Sequence, residues 1–367
     1  MQVLYTNNMN AHENTSSLEF QEYMLDVINK GSLSLMLSLG HRVGLFDTMV
    51  SLPPSTSKQI SIASNLDERY VREWLAAMVV GKIVNYDSTS NLYFLPKDKA
   101  DFLIRQTKIY NFAASMQWIP ILGQVEDQIV NCFKKGGGVP YSSYKRFHEV
   151  MEEESAQTVL SGLFDWIIPL VPGLEEKLKE GINVLDVGCG NGRAINMMAN
   201  QFPRSKFTGY DISEEAITKA QLQAKTHDNK NVKFEVKDIS KFLNSSKNLS
   251  FDLITAFDAI HDQADPATAL KNIVSLLDGQ DGIFLMQDIL SSSLLQNNIN
   301  HPVGTFLYTI SCLHCMTVSL AQGGIGLGAM WGKEKAVEML KEAGFMHVEV
   351  KTLPHDFQNY YYVATIK

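Results

Sequence analysis

Residues 184–192 read VLDVGCGNG, in which an acidic residue is followed by three glycines at every second position. Gly188, Gly190 and Gly192 permit positive φ and let a ligand approach the backbone closely. An apolar run that ends in such a turn is typical of a strand that enters a helix beside a bound nucleotide. By itself the turn is a weak signal, because a tight strand-to-helix connection without a ligand uses the same residues.

Acidic residues recur where later apolar runs end. Asp211 closes GYD about 20 residues after the glycines, Asp238 lies in KDIS, and AFDAIHD begins at Ala256. In open α/β sheets, ligands bind at the carboxyl ends of the strands, and the acid that ends the second strand reaches ribose hydroxyls. The spacing therefore predicts a nucleotide-like cofactor at that edge.

His261 is the candidate for proton transfer, since imidazole titrates near neutral pH. It lies in FDAIHDQADP, four residues after Phe257 and directly before Asp262. Asp265 and Pro266 predict the start of the next helix as its N-cap and first residue. His261 is then on a loop at the edge of the sheet, either as a base or as a helix-entry histidine bonded to backbone.

The second half of the chain alternates short β runs with helical periods, which predicts an open, doubly wound α/β sheet of Rossmann-like type. The C-terminal residues HVEVKTLPHDFQNYYYVATI predict a closing antiparallel hairpin. The pattern assigns residues 176–367 to this domain and identifies 289–332 as a long insertion that lines a pocket.

The first half of the chain is predicted to be mostly helical. Residues 1–17 are polar and predict a disordered tail. Residues 18–100 show helix, turn, helix and a short hairpin, the pattern of a winged helix that could serve for dimerisation. Residues 101–175 predict an aromatic-rich helical linker that is either plain core or a lid over the acceptor site. The helix ERYVREWLAAMVV carries two cations among two acids, so we expect it to pack subunits together rather than read DNA.

The bulk composition narrows the function classes. The 367 residues carry a net charge of −8, which disfavours a nucleic-acid or anionic-membrane partner. Four cysteines are too few for a disulfide framework, and the N-terminal residues lack an apolar signal core. We therefore expect a cytoplasmic protein without a membrane segment.

The insertion is rich in residues that could face a ligand. Cys312 and Cys315, with His261 and His301, allow a metal site to be considered, but one Cys-x-x-Cys pair is weak evidence. A pocket-lining helix is favoured over a metal site, with plain core packing as the alternative for His314 and Cys315.

The order Asp-x-Gly-x-Gly-x-Gly, with the acid first, resembles motif I of the class I methyltransferases, which bind S-adenosylmethionine (SAM) and release S-adenosylhomocysteine (SAH). The resemblance implies that Asp186 and the turn flank the methionine part of SAM and that Phe257 lies near the sulfonium. It implies ribose and adenine contacts for the residues that end the second and third strands. The cofactor-binding residues predicted in this way are Asp186, Gly188, Gly190, Asp211, Ile212, Asp238, Ile239 and Phe257.

His261-Asp262-Gln263-Ala264-Asp265 resembles the His-Asp-Trp-x-Asp motif of small-molecule O-methyltransferases, in which the histidine is the general base. The resemblance implies catalytic roles for His261 and Asp262. Gln263 replaces the tryptophan of that motif, which puts the shape of the acceptor pocket in doubt.

The chain from residue 18 onward resembles the bacterial and invertebrate SAM-dependent methyltransferases that carry an N-terminal winged helix and are often labelled transcriptional regulators. The resemblance rests on PYSSYKRFHEVM, LDVGCGNGR, FDAIHDQADP and the insertion. It implies a homodimer formed through the N-terminal domain and a small-molecule acceptor methylated on oxygen or sulfur. The alternative is a SAM-binding winged-helix regulator. The residues predicted to bind the acceptor are Trp118, Tyr141, Tyr144, Tyr308, His314, Cys315 and Trp331.

Overall fold

The structure is a computed structural model that describes residues 11–107, 110–241, 249–279 and 281–367. The chain forms two compact units, which meet between Pro120 and Ile121. The segment predicted as a lid, residues 101–175, is therefore divided between the two units.

The first unit is mostly helical, with one small hairpin. The helix α1 begins at Ala11, so residues 11–17 are helical rather than part of the predicted tail, and residues 1–10 lie outside the described residues. The elements are α1 (Ala11–Arg42), α2 (Leu45–Val50), α3 (Ser57–Ser64), α4 (Glu68–Val80), β1 (Asn85–Asp87), β2 (Leu92–Phe94), α5 (Lys97–Ala100) and α6 (Phe112–Ser115). The helix α7 (Trp118–Gly123) spans the boundary between the units.

The helix-turn-helix of this unit follows local capping rules. Thr56 forms a capping box with Gln59 at the start of α3, and the Asp67 side chain accepts from Arg69 N and Tyr70 N at the start of α4. The strands β1 and β2 pair antiparallel and form the predicted wing. The winged-helix prediction is confirmed at the level of its elements.

The second unit begins with the helices α8 (Glu126–Lys135), α9 (Phe147–Thr158) and α10 (Leu174–Glu180). A seven-stranded sheet follows, in the order β5-β4-β3-β6-β7-β9-β8. The neighbours from β5 to β7 pair parallel, whereas β9 pairs antiparallel with both β7 and β8, which confirms the closing hairpin. The strands are β3 (Asn183–Val187), β4 (Lys206–Asp211), β5 (Val232–Val236), β6 (Leu253–Phe257), β7 (Ile283–Ile289), β8 (His347–Leu353) and β9 (Asp356–Thr365).

Helices cover both faces of this sheet. Val184 and Leu185 are adjacent in β3 and fully buried, but they belong to different hydrophobic clusters because side chains alternate along a strand. One cluster includes residues of α11 (Arg193–Gln201) and α12 (Glu214–Thr226), and the other includes residues of α13 (Pro266–Leu276) and α17 (Gly332–Ala343). Asp265 caps α13 by accepting from Thr268 N, as predicted.

The insertion forms the short helices α14 (Leu295–Asn298), α15 (Gly304–Ile310) and α16 (Met316–Ala321), with a π-helical turn at Ser311–Cys315. Among the described residues, the stretch Gly304–Ala321 is long and apolar enough to cross a membrane, judged by length and composition. Since 39% of it is buried inside the protein, it also fits the core helix of a globular unit.

Candidate active site

The glycine turn after β3 leaves no room for a side chain at Gly188. Gly188 has φ of +72°, and a Cβ at this position would lie 2.4 Å from the Cβ of Ala259. The amide of Gly190 points across the edge of the sheet and donates to Asp211 Oδ2 at 2.8 Å. The turn therefore presents backbone to the space above the strands, as a nucleotide cofactor requires.

Asp211, at the end of β4, is held by the backbone on both sides. Its second oxygen, Oδ1, accepts from Ser213 N at 2.8 Å. Asp238 is fixed in the same manner after β5, where Oδ1 accepts from both Ser240 N and Ser240 Oγ. Both carboxylates are thus oriented without help from a ligand.

Asp186 is the buried acid of the turn. Its Oδ1 accepts a hydrogen bond from Thr255 Oγ1 at 2.7 Å. Burial raises the pKa of Asp186 to about 7, and the nearby charge of Asp211 adds to the rise, while the bond from Thr255 opposes it. This carboxyl group would be stabilised in its ionised form by a positively charged ligand.

These residues line one cleft of about 830 Å³ in the second unit. All eight residues that the sequence predicts for cofactor binding are among its lining residues. Asp262 from the predicted catalytic residues, and Tyr141 and Tyr144 from the predicted acceptor residues, also line the cleft. Its volume lies in the range that holds a small molecule.

His261 lies beside this cleft and is buried. Its Nδ1 is 2.9 Å from Asp288 Oδ1, and its Nε2 is 3.4 Å from Asp262 Oδ1. Asp288 Oδ1 also accepts from Ile289 N and from Trp331 Nε1, at 2.8 and 2.9 Å. Since a carboxylate only accepts, the imidazole donates from Nδ1, and Nε2 is the nitrogen that remains for chemistry.

The charges around His261 favour its protonated form. Burial alone would lower the pKa of this imidazole, but the carboxylates of Asp288 and Asp262 outweigh it, so the pKa is well above its usual value. A general base must be neutral before it accepts a proton, so the raised pKa means that His261 serves as a base only while its ring is neutral, a fraction that increases with pH.

Asp262 joins the histidine to the cleft. Its Oδ2 accepts a hydrogen bond from Tyr141 Oη at 2.7 Å, while Oδ1 faces His261. Burial and the Asp262 charge together raise the pKa of Tyr141, so the phenol stays neutral and donates this bond. Tyr141 is positioned by the 3-10 turn Tyr141–Ser143, far from Asp262 in the sequence.

Of the other predicted acceptor residues, His314 and Cys315 lie behind the cleft wall next to the His261 end, whereas Tyr308 and Trp118 lie elsewhere. His314 is buried and stacks on Phe147 with ring centroids 4.4 Å apart, and Cys315 is buried next to it. Tyr308 lines a second groove of about 530 Å³ on the insertion, together with His301 and Cys312. Trp118 belongs to the first unit, whereas every lining residue of the large cleft belongs to the second.

The Trp331 side chain lies behind the cleft rather than in its lining. The sequence predicts it as an acceptor contact, but its ring is packed in a hydrophobic cluster and its Nε1 donates to Asp288. It therefore contacts the partner of His261 and does not line the cleft.

Asp288 is the functional candidate that the sequence reasoning missed. It is the next-to-last residue of β7, the strand next to β6, at the same edge as Asp186 and Asp211. The rule that selected acids at the ends of earlier strands would have found it in FLMQDI. Glu152 of α9 was also missed; it lines the cleft, accepts a hydrogen bond from Asn191 and lies 3.6 Å from Arg193.

Family models match the two halves of the chain. A model described as Rv2258c-like winged HTH domain matches residues 31–105, and a model described as methyltransferase domain matches residues 178–344. The chain therefore has an N-terminal region that matches a winged helix-turn-helix domain and a C-terminal region that matches a methyltransferase domain.

Relatives of the methyltransferase domain include the ubiquinone biosynthesis O-methyltransferase of Coxiella burnetii, 28% identical over 131 residues. That match covers 36% of this chain and 49% of the relative, so the chain spans about half the length of the curated relatives it matches.

Solved structures match the chain over nearly its whole length. Human N-acetylserotonin methyltransferase in complex with SAM has a TM-score of 0.67 at 16% identity, covering 97% of this chain and 99% of that one. CalO1, a methyltransferase in calicheamicin biosynthesis in its SAH-bound form, has a TM-score of 0.61 at 15% identity, with coverages of 97% and 99%. These likenesses confirm the predicted fold, and both neighbours were solved with SAM or SAH bound.

Proposed function

We propose that the protein is a SAM-dependent methyltransferase that transfers a methyl group to the oxygen or sulfur of a small molecule. The observation that supports this most strongly is the single cleft that joins the eight predicted cofactor residues to Asp262 beside His261. Phenol-like hydroxyls and small thiols are the acceptor classes that such a site can serve.

The residues of the cleft fit SAM. Gly188 brings the backbone close to the ligand, and Asp211 and Asp238 present carboxylates that hydrogen bonds already orient. Asp186 places a buried acid where the cationic methionine part of SAM would lie. When bound, SAM supplies an activated methyl group.

The remaining task for the protein is to align the acceptor and remove its proton. When the acceptor is methylated, His261 Nε2 in its neutral form would accept the proton of the acceptor hydroxyl. Asp288 holds the ring through Nδ1 and balances the resulting positive charge. Tyr144 and Tyr141 provide aromatic surface beside this end of the cleft.

We further propose that the protein is a homodimer through its first unit. The helix α1 exposes a run of large apolar side chains within that unit, among them Leu18, Phe20, Tyr23, Leu25 and Ile28, each more than half exposed. Many large apolar side chains left exposed on one helix are typical of a protein interface. Sedimentation analysis of the full chain tests this, and charged substitutions at Leu25 and Ile28 should give monomers.

The regulator alternative receives less support from α4. Arg69 is paired with Glu73, and Arg72 Nε lies 3.5 Å from Glu68 Oε1, so intrahelical acids offset both cations of the candidate recognition helix. DNA binding requires cations that are available to phosphates.

The first experiment is transfer from methyl-labelled SAM to a panel of phenols, thiols, carboxylates and amines, with Asp211→Ala as the cofactor-deficient control. We expect turnover on a phenol or a thiol. SAM binding without turnover on any of these classes would count against the enzyme and in favour of a SAM-binding regulator.

His261→Ala then separates the two acceptor classes. Loss of a general base typically costs a factor of about 10²–10⁴ in rate, and the loss should be smaller for a thiol, which is more acidic than a phenol-like hydroxyl. SAM affinity should be unchanged. Equal, modest losses on both classes would remove His261 from the role of base.

A further inference from the structure

Three side chains of different ligand chemistry meet at the His261 end of the cleft. His261, Asp262 and Cys315 each offer one ligand atom, and these atoms all lie within 4.8 Å of one another. The side chains of His261 and Asp262 are 5% and 14% exposed, and Cys315 is also buried. Cys315 comes from the insertion, whereas the other two follow β6, so tertiary packing creates the cluster.

The three side chains already share their protons with one another. His261 donates from Nδ1 to Asp288, and its Nε2 lies 3.4 Å from Asp262 Oδ1, so only the neutral ring offers a lone pair there. Tyr141 occupies Asp262 Oδ2, and the Cys315 side chain interacts with both His261 and Asp262. A buried carboxylate is stabilised by a proton or a cation, and a metal ion could replace the protons that these groups share.

We propose that His261 Nε2, Asp262 Oδ1 and Cys315 Sγ bind one thiophilic divalent cation of the Zn²⁺ type. Zn²⁺ accepts nitrogen, sulfur and carboxylate ligands, and sites with three protein ligands keep a fourth position for water or another ligand. A histidine that binds a metal usually donates its other N–H to a carboxylate, and Asp288 is in that position. The Cys315 thiol loses its proton to water as the metal binds.

A second group, Asp258, His261 and Asp288, also brings ligand atoms together. It is less suited to a metal, because Asp288 Oδ1 already accepts from three N–H groups and the facing Nδ1 carries a proton. The cation is therefore assigned to the Nε2 side of the ring.

The cation would compete with the acceptor proton for His261 Nε2. This consequence rests on the proposed role of His261 as the general base. The Nε2 lone pair cannot bind a metal and accept a proton at the same time. Zinc-loaded protein should lose transfer to hydroxyl acceptors while it still binds SAM, and a chelator should restore transfer.

The test uses the full chain, Zn²⁺ by calorimetry and Co²⁺ by absorption spectroscopy. We expect one equivalent of metal per chain and, with Co²⁺, a thiolate-to-metal charge-transfer band. Cys315→Ser should abolish the band and weaken Zn²⁺ binding by at least about tenfold, and Asp262→Asn should weaken it similarly. Cys312→Ser is the matched control, since Cys312 lies one turn away outside the cluster and should leave both readouts unchanged.

The proposal is overturned if no stoichiometric metal binds, or if Co²⁺ binds without the charge-transfer band. It is also overturned if binding survives Cys315→Ser or is lost in Cys312→Ser. SAM binding by each variant verifies that it is folded. If the chain binds metal but methylates no acceptor, only the proposed function is refuted. If it methylates an acceptor but binds no metal, only the metal site is refuted.

Discussion

The two sides of the cleft are built in different ways. On the glycine-turn side, the key groups are the turn itself and acids at the ends of neighbouring strands, and each acid is fixed by backbone or by a residue within the sheet. On the His261 side, the groups come from four distant segments, represented by Tyr141, Asp262, Asp288 and Trp331. The first side depends on local rules, and the second depends on tertiary packing.

If this division holds, damage to the glycine-turn side should remove cofactor binding alone. Asp211→Ala deletes a carboxylate oriented toward the cleft, and the loss of charge-assisted hydrogen bonds costs about 2–3 kcal/mol. We expect SAM to bind roughly 30- to 150-fold more weakly by calorimetry. Glu214→Ala, an exposed acid at the start of α12, is the matched control and should bind SAM normally. Equal losses in both variants would mean that general charge, rather than the position of Asp211, governs binding.

A substitution that weakens the support of His261 should lower the rate of methyl transfer and leave SAM binding intact. Trp331→Phe removes the N–H that Asp288 accepts but keeps an aromatic ring in the core, so the His261–Asp288 pair should be less well held. Loss of such a second partner costs about tenfold in rate. We expect that fall in kcat on a hydroxyl acceptor, with SAM affinity intact.

Trp166→Phe controls for the loss of an indole, since Trp166 stacks near His355 and does not line the cleft. A Trp331→Phe protein that melts at a lower temperature but keeps its kcat would show that Trp331 only packs.

The buried acid of the glycine turn predicts a pH effect on binding. With its pKa raised to about 7 by burial, Asp186 is mostly protonated at pH 6 and mostly ionised at pH 8. SAM is cationic and should prefer the ionised form, so its affinity should rise with pH, by at most about tenfold across this interval. In Asp186→Asn the affinity should be nearly independent of pH. A wild-type affinity that falls as pH rises would contradict the assignment.

The smallest effect is expected where the sequence and the structure disagree about the acceptor site. Tyr141 and Tyr308 are both predicted acceptor contacts, but only Tyr141 lines the large cleft and bonds to Asp262. Tyr141→Phe should raise the acceptor KM or lower kcat severalfold, whereas Tyr308→Phe should change neither by more than about twofold, as for a surface site. A large effect at Tyr308 would place the acceptor in the second groove.

The same division explains what could be predicted from the sequence. Asp186, Gly188 and Asp211 could be assigned to one edge of the sheet because a strand, a turn and a helix leave a signature within a few residues. Asp265 and Pro266 located α13 for the same reason. No local pattern shows that Trp331 turns toward β7, that Tyr308 faces another groove, or that Cys315 meets His261. These positions depend on how the insertion packs. The sequence therefore indicated which residue types are present there but not which residues they contact.

Hydrogen bonds also join the two ends of the insertion. Ser292 and Ser293 contact Glu334, and Ser293 Oγ donates to the carbonyl of Trp331, so the two ends of the segment between them are held together. The chain between them returns to the point where it left the sheet, and residues inside it also bond to the loop that follows β6, as Ser319 Oγ does to the carbonyl of Gln263. The insertion therefore connects the end of β7 to the His261 loop from both sides, so a change in its length would be felt at both.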